Sequence, residues 1–143
     1  MTEDQTDAPA PREDGAFFDE DTFNHWLGLQ VESHGGGEAT LSVEYEAFKQ
    51  NPGNVLHGGV TATLIDVAGG IAIGSTFDGE NPMMATTNLD VQYLRPVTDD
   101  AEATAEVVRV GSSNAVARVE VESTDPDGER KVVATGTVTY QRH

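Results

Sequence analysis

A chain of 143 residues carrying 25 Asp and Glu against 8 Lys and Arg, for a formal charge of −17, fits one domain with an ordinary core. Its only lysines are Lys49 and Lys131 and it has no basic cluster, which argues against nucleic acid and anionic membrane surfaces as partners. The absence of cysteine excludes disulfides, a thiol nucleophile and thiolate metal sites.

Such acidity exceeds what solubility needs and points to a halophilic setting, where a short screening length damps self-repulsion. The opening segment, Met1 to about Gly15, is acidic, contains Pro9 and Pro11 and has almost nothing to bury. It is expected to be a disordered tail ahead of a single domain over 16–143. It lacks the basic start and apolar run of a signal peptide, so the expected location is the cytoplasm.

From Phe17 to Leu27 the spacing of Phe23, Trp26 and Leu27 predicts a short amphipathic helix ended by Gly28, with Trp26 in the core. Leu29–Ser33 and Ala39–Tyr45 alternate with period two around His34-Gly35-Gly36-Gly37, a hairpin signature that leaves His34 exposed. The turn Asn51-Pro52-Gly53-Asn54 then delivers the central element.

That element is a helix from Gly58 to about Thr76. Val60, Leu64, Ile65, Val67, Ala68, Ile71 and Ile73 surround it, so burial on most sides is expected. Asp66 is the anomaly, because Ala62, Thr63, Gly69 and Gly70, its neighbours three and four positions away, offer no charge partner. A carboxylate so placed either bonds a backbone amide or serves a function; function is favoured, since active sites use buried carboxylates as bases. Ahead of the helix, His57-Gly58-Gly59 leaves the first amide N–H groups unencumbered at the positive end of the dipole, where a developing oxyanion could sit. Eight residues of helix, about 12 Å of rise, separate Gly58 from Asp66. A two-fold dimer could join the helix N-terminus of one subunit to the Asp of the other.

After the loop Phe77–Pro82, strands are expected over Ala85–Leu94, Ala101–Val110, Ala115–Ser123 and Lys131–Tyr140, with Asp125-Pro126-Asp127-Gly128 turning between the last two. One helix with antiparallel strands predicts an α+β fold in which a curved sheet wraps the helix. Gly69-Gly70 inside the helix requires close packing as compensation. The helix itself is a poor membrane span because of its Gly pairs, Thr residues and Asp66.

The run Asn51-x5-His57-Gly58-Gly59-x6-Asp66, followed by Tyr93-Leu94-Arg95-Pro96, resembles the hotdog-fold acyl-CoA thioesterases of the phenylacetic-acid-degradation (PaaI-like) type. The likeness covers about Phe23 to Tyr140. It implies a single-domain hotdog fold, an acyl-CoA substrate (aryl or short to medium chain) and a homodimer with composite sites, paired into a homotetramer. It also implies a catalytic set of Asp66, Gly58, Asn51, His57 and Thr86, with Thr86 helping to hold the attacking water. Gly59 and Arg95 are expected to bind substrate, Arg95 being the first choice for the phosphates of coenzyme A ahead of Arg109 and Arg118. Neither cofactor nor metal is implied, the four histidines lacking ligand spacing.

Several roles stay open in the sequence. Asn51 is either a turn residue bonding its own backbone or an amide donor to the thioester carbonyl. His57 either meets the thioester region or caps the turn, and Asp66 is either base or nucleophile. Rival readings are an acyl-thioester hydratase or dehydratase on the same fold, and a non-catalytic acyl-CoA binder.

Overall fold

The computed structural model describes residues 17–78 and 82–143. The expected acidic tail lies outside the described residues, as do residues 79–81 of the loop after the central helix.

The first helix, α1, spans Phe23–Leu27 and is shorter than the expected Phe17–Leu27. Thr22 sets its start: its backbone is extended and its Oγ1 accepts from the His25 amide at 3.3 Å. Gly28 closes it in the left-handed region at φ 81°. A helix of five residues has room for one inward position, which Leu27 takes. Trp26, expected in the core, is instead 62% exposed and stacks on Phe23, with Phe48 tilted against it at 5.2 Å.

The expected hairpin forms from β1 (Gln30–Gly35) and β2 (Glu38–Val43), but β1 runs past Ser33 to pair His34 and Gly35 with Ala39 and Glu38, so the turn tightens to Gly36 and Gly37, both at positive φ. A 3-10 turn over Ala47–Lys49 follows, and there the chain buries an unheralded lysine. The Lys49 ammonium pairs with Glu46 at 2.5 Å and donates to the Glu44 carbonyl at 3.1 Å. Burial of the charge is tolerable because it is paired and hydrogen-bonded.

The central helix α2 spans Gly58–Gly74. The strands β3 (Met84–Tyr93), β4 (Ala101–Val110), β5 (Asn114–Thr124) and β6 (Arg130–Arg142) match the expected segments closely. At the β5–β6 turn, Asp125 Oδ1 accepts from the Asp127 and Glu129 amides at 2.9 Å each, and Gly128 takes positive φ. All pairings are antiparallel, in the order β1-β2-β4-β5-β6-β3, so β3 is a long edge strand with exposed side chains over most of its length.

The sheet wraps α2, which packs on β2, β4, β5 and β6. Val60, Leu64, Ile65, Ala68, Ala72 and Ile73 meet Leu41, Val119, Val121 and Val138 to form the core. The glycine pair brings helix and sheet into contact: a Cβ on Gly69 would overlap Val138 Cγ1, and one on Gly70 would stand 2.7 Å from Tyr140 Cζ.

Burial on most sides of α2 is not observed. Ala62, Thr63, Asp66, Val67, Gly70 and Ile71 form a half-exposed face turned away from the sheet. Small and apolar residues occupy both faces, so their pattern did not reveal which would be covered.

Candidate active site

The turn before α2 is built from Asn51. Its Oδ1 accepts from the Gly53 amide at 2.8 Å and the Val55 amide at 3.4 Å, while its backbone N–H donates to the Val55 carbonyl at 2.8 Å. The turn reading of Asn51 is therefore correct for the oxygen, and the side-chain amide group remains available as a donor. Asn54 sits at φ 63°, and its carbonyl accepts from the Tyr45 hydroxyl, which ties the turn to the domain.

His57 caps α2. Its Nδ1 accepts from the Gly59 amide at 2.9 Å, which places the ring proton on Nε2. The expectation that both glycine amides stand free is thus corrected, since His57 occupies that of Gly59. The Gly58 amide, one residue earlier, has no acceptor among the described residues. At the same residue the Tyr93 hydroxyl donates to the Gly58 carbonyl at 2.6 Å, fastening the end of β3 to the start of the helix.

Asn51, Gly58, Tyr93 and Arg95 line one cleft of about 410 Å³. The cleft thus has a free amide N–H at a helix N-terminus, with a side-chain amide and a guanidinium among the residues of its wall, groups of the kind that polarise a carbonyl and attract anions. Arg95 has no ion pair with an acid among the described residues, whereas Arg130 is held by Glu102 and Glu122 at 3.2 and 3.3 Å. His57 and Gly59 line a neighbouring hollow with Phe23, Trp26 and Phe48.

Two turns along α2, Asp66 is half-buried on the open face. Its Oδ1 accepts from the Thr86 hydroxyl at 2.8 Å. The Tyr140 hydroxyl stands 3.2 Å from the same oxygen and 3.0 Å from the Asp66 backbone carbonyl. Burial pushes the Tyr140 phenol up to about 12, with the Asp66 carboxylate adding to the rise, so the group stays protonated and acts as a donor. Oδ2 has no partner among the described residues. The expected site residues thus fall into two sets: Asn51, Gly58 and Arg95 in the cleft, with His57 and Gly59 beside it, and Asp66 with Thr86 further along the helix. Among the described residues no group of three acidic or histidine side chains could hold a metal.

A family model described as the thioesterase superfamily matches residues 53–130. The chain belongs to the thioesterase superfamily.

Its relatives include the medium/long-chain acyl-CoA thioesterase YigI of Escherichia coli, 36% identical over 138 residues, covering 82% of this chain and 83% of that protein. A protein of Halobacterium salinarum, named as a candidate esterase, is 37% identical and covers 88% of this chain and 87% of its own. Among solved structures, a mutant of the phenylacetic acid degradation protein PaaI of Thermus thermophilus superposes with a TM-score of 0.72 at 30% identity, covering 85% of this chain and 98% of that one. A thioesterase family protein of Silicibacter pomeroyi reaches 0.76 at 27% identity, covering 82% and 86%. The helix wrapped by a curved antiparallel sheet is the hotdog fold, and this thioesterase is of the PaaI-like type.

Two side chains of the candidate site have contacts that the sequence does not announce. Tyr93 belongs to the Tyr93-Leu94-Arg95-Pro96 run without its bond to Gly58 being legible, and Tyr140 reads only as the end of a strand. Tyr140 lies 74 positions from Asp66, so no local spacing links them. A large hydroxyl-bearing side chain opposite Gly70 was the one available signal, and it requires the β6 register to be read.

Proposed function

We propose that the protein hydrolyses acyl-CoA thioesters in sites completed by a second copy of the chain. The observation that carries this reading is the Asp66 carboxylate, oriented through Oδ1 by Thr86 and Tyr140 and open at Oδ2 on an uncovered helix face. The thioester carbonyl lies against the Gly58 amide and the Asn51 side-chain amide. Asp66 Oδ2 of the partner takes a proton from water as the water oxygen adds to the carbonyl carbon. The tetrahedral intermediate then expels the coenzyme A thiolate, which takes up the proton held by Asp66 and so regenerates the carboxylate, and the acid leaves. Thr86, whose hydroxyl hydrogen is engaged in the bond to Asp66 Oδ1, keeps lone pairs with which to accept from that water. His57 Nε2–H faces the leaving sulfur, and Arg95 the phosphates.

A dimer is supported by the free edge of β3, ten residues long, which offers unpaired backbone groups to a two-fold copy of itself. Such pairing would extend the sheet and set the two α2 helices side by side. It would also bridge the roughly 12 Å of helix that keeps Gly58 and Asp66 of one chain apart.

The direct test is release of free thiol from a panel of aryl-, short- and medium-chain acyl-CoAs in molar KCl. Turnover of at least one member is expected, and a folded protein that binds acyl-CoA without releasing thiol would contradict the proposal. The shared site has its own test. Asn51→Asp keeps the turn-forming Oδ1 but loses the amide donor, and Asp66→Asn removes the base. Each alone is expected to be nearly inactive. Refolded together they form mixed dimers with one intact site, and activity returns to about a quarter of wild type. A mixture no more active than its components would mean that each site lies within one chain.

Tyr140→Phe deletes only the hydroxyl on Asp66. We expect kcat to fall about tenfold with KM within about twofold, because an orienting hydrogen bond to the reacting carboxylate is lost while the substrate walls remain. A wild-type kcat in this variant would show that Thr86 alone orients the carboxylate.

A further inference from the structure

Beside Asp66, on the same open face of α2, lies a cavity of about 320 Å³. Val67, Gly70, Ile71 and Gly74 form its helical wall, with Phe17 and Phe18 opposite. Tyr140 connects it to the site: its ring lines the cavity while its hydroxyl contacts Asp66. The lining contains no Asp, Glu, Lys or Arg. Its Ser75 hydroxyl is already engaged, donating to the Ala72 carbonyl at 2.6 Å and accepting from the Gly37 amide at 2.9 Å. Asn24 and His34 are its other polar members, at the rim formed by α1 and the end of β1, and the rest of the wall is predominantly apolar, which suits hydrocarbon.

The two glycines of this wall differ. Gly70 has no room for a side chain, Tyr140 Cζ lying 2.7 Å from where its Cβ would be. Gly74 faces open space, with nothing within 4 Å of its would-be Cβ. A second hollow of about 210 Å³ shares Gly70, Gly74 and Tyr140 and continues to Phe77 and Met84. Gly74 thus stands where the first cavity adjoins the second, and its missing side chain leaves that end open.

We propose that this cavity takes the acyl chain and that Gly74 sets its depth, making it a specificity-determining residue for straight chains of about ten carbons. The length is an order-of-magnitude figure, about 320 Å³ divided by roughly 30 Å³, the liquid volume of one water-sized group. This deepens the hydrolytic reading above and rests on it. A leucine at position 74 places four carbon atoms in the same space and shortens the accepted chain by about four carbons. Because a helical glycine is being replaced by a better helix former, the variant is expected to fold, and Gly74→Ala provides a milder version.

The experiment measures binding of S-hexyl- and S-decyl-coenzyme A, thioethers that cannot be hydrolysed, by calorimetry in molar KCl, beside kcat/KM for hexanoyl- and decanoyl-CoA. Wild type is expected to bind the decyl ligand at least about tenfold more tightly than the hexyl one, since each buried methylene adds affinity. Gly74→Leu should bring that ratio near one and cut kcat/KM for decanoyl-CoA at least tenfold while leaving hexanoyl-CoA within about twofold; Gly74→Ala should fall between. A decyl-to-hexyl ratio that is near one in wild type, or unchanged in both variants, overturns the assignment. If the ratio collapses as expected but wild type releases no thiol from decanoyl-CoA, the pocket stands and the hydrolytic reading falls.

Discussion

Asp66→Asn is expected to lower thiol release at least about a hundredfold while the fold and acyl-CoA binding persist. The substitution is nearly isosteric, and the asparagine Oδ1 can still accept from Thr86 and Tyr140, the two donors that hold the native carboxylate. Only the chemistry at the second position changes: an NH2 group replaces Oδ2 and cannot take a proton from water. General bases contribute about 10²- to 10⁴-fold, or roughly 3 to 5 kcal/mol of barrier, which sets the size of the loss. The measurement belongs in molar KCl, where a chain of net charge −17 is shielded from its own repulsion. Equal turnover in wild type and variant, with both folded, would remove Asp66 from the mechanism.

Gly69→Ala is expected to destabilise the protein by about 2 to 3 kcal/mol, although alanine is the better helix former by about 1 kcal/mol. The added methyl group would overlap Val138 Cγ1 and stand 3.5 Å from Ala117 Cβ, both on the sheet beneath α2. Val138 is fully buried and has nowhere to move without repacking the core. The clash therefore outweighs the propensity gain. Gly74→Ala supplies the control: the same chemistry on the same helix meets nothing within 4 Å, and a gain of about 0.5 to 1 kcal/mol is expected. Chemical denaturation of the two variants beside wild type in molar KCl reads both signs. Two stabilised variants would mean that α2 does not rest on β6 at Gly69.

Tyr140 shows why the site was only half legible. Asp66 stood out because an unpaired carboxylate in an apolar helix conflicts with its local surroundings, and such conflict can be read along the chain. The pairing of Thr86 with Tyr140 on one carboxylate oxygen depends on β3 lying next to β6 and on their register, which opposes these two residues. His57 illustrates the same limit on a smaller scale. Its place before the helix is local, but whether the ring caps Gly59 or leaves that amide free is settled by a rotamer.

The sequence by itself determined one α+β domain, the extent of α2 and the later strands, the turns at Asn51 and Asp125, and the residues from which the proposed site is drawn. Those features rest on short-range rules, the period-two alternation, turn chemistry and helix capping, each satisfied within a few neighbouring residues. Only the tertiary structure decided the strand order that leaves β3 at an edge, the outward turn of Trp26, the burial of Lys49 with Glu46, and which face of α2 stays open. The physical reason is that these depend on contacts between residues far apart in the chain. A helix of Gly, Ala, Val and Ile has two apolar sides, and the sheet selects the one on which Gly69 permits closest approach.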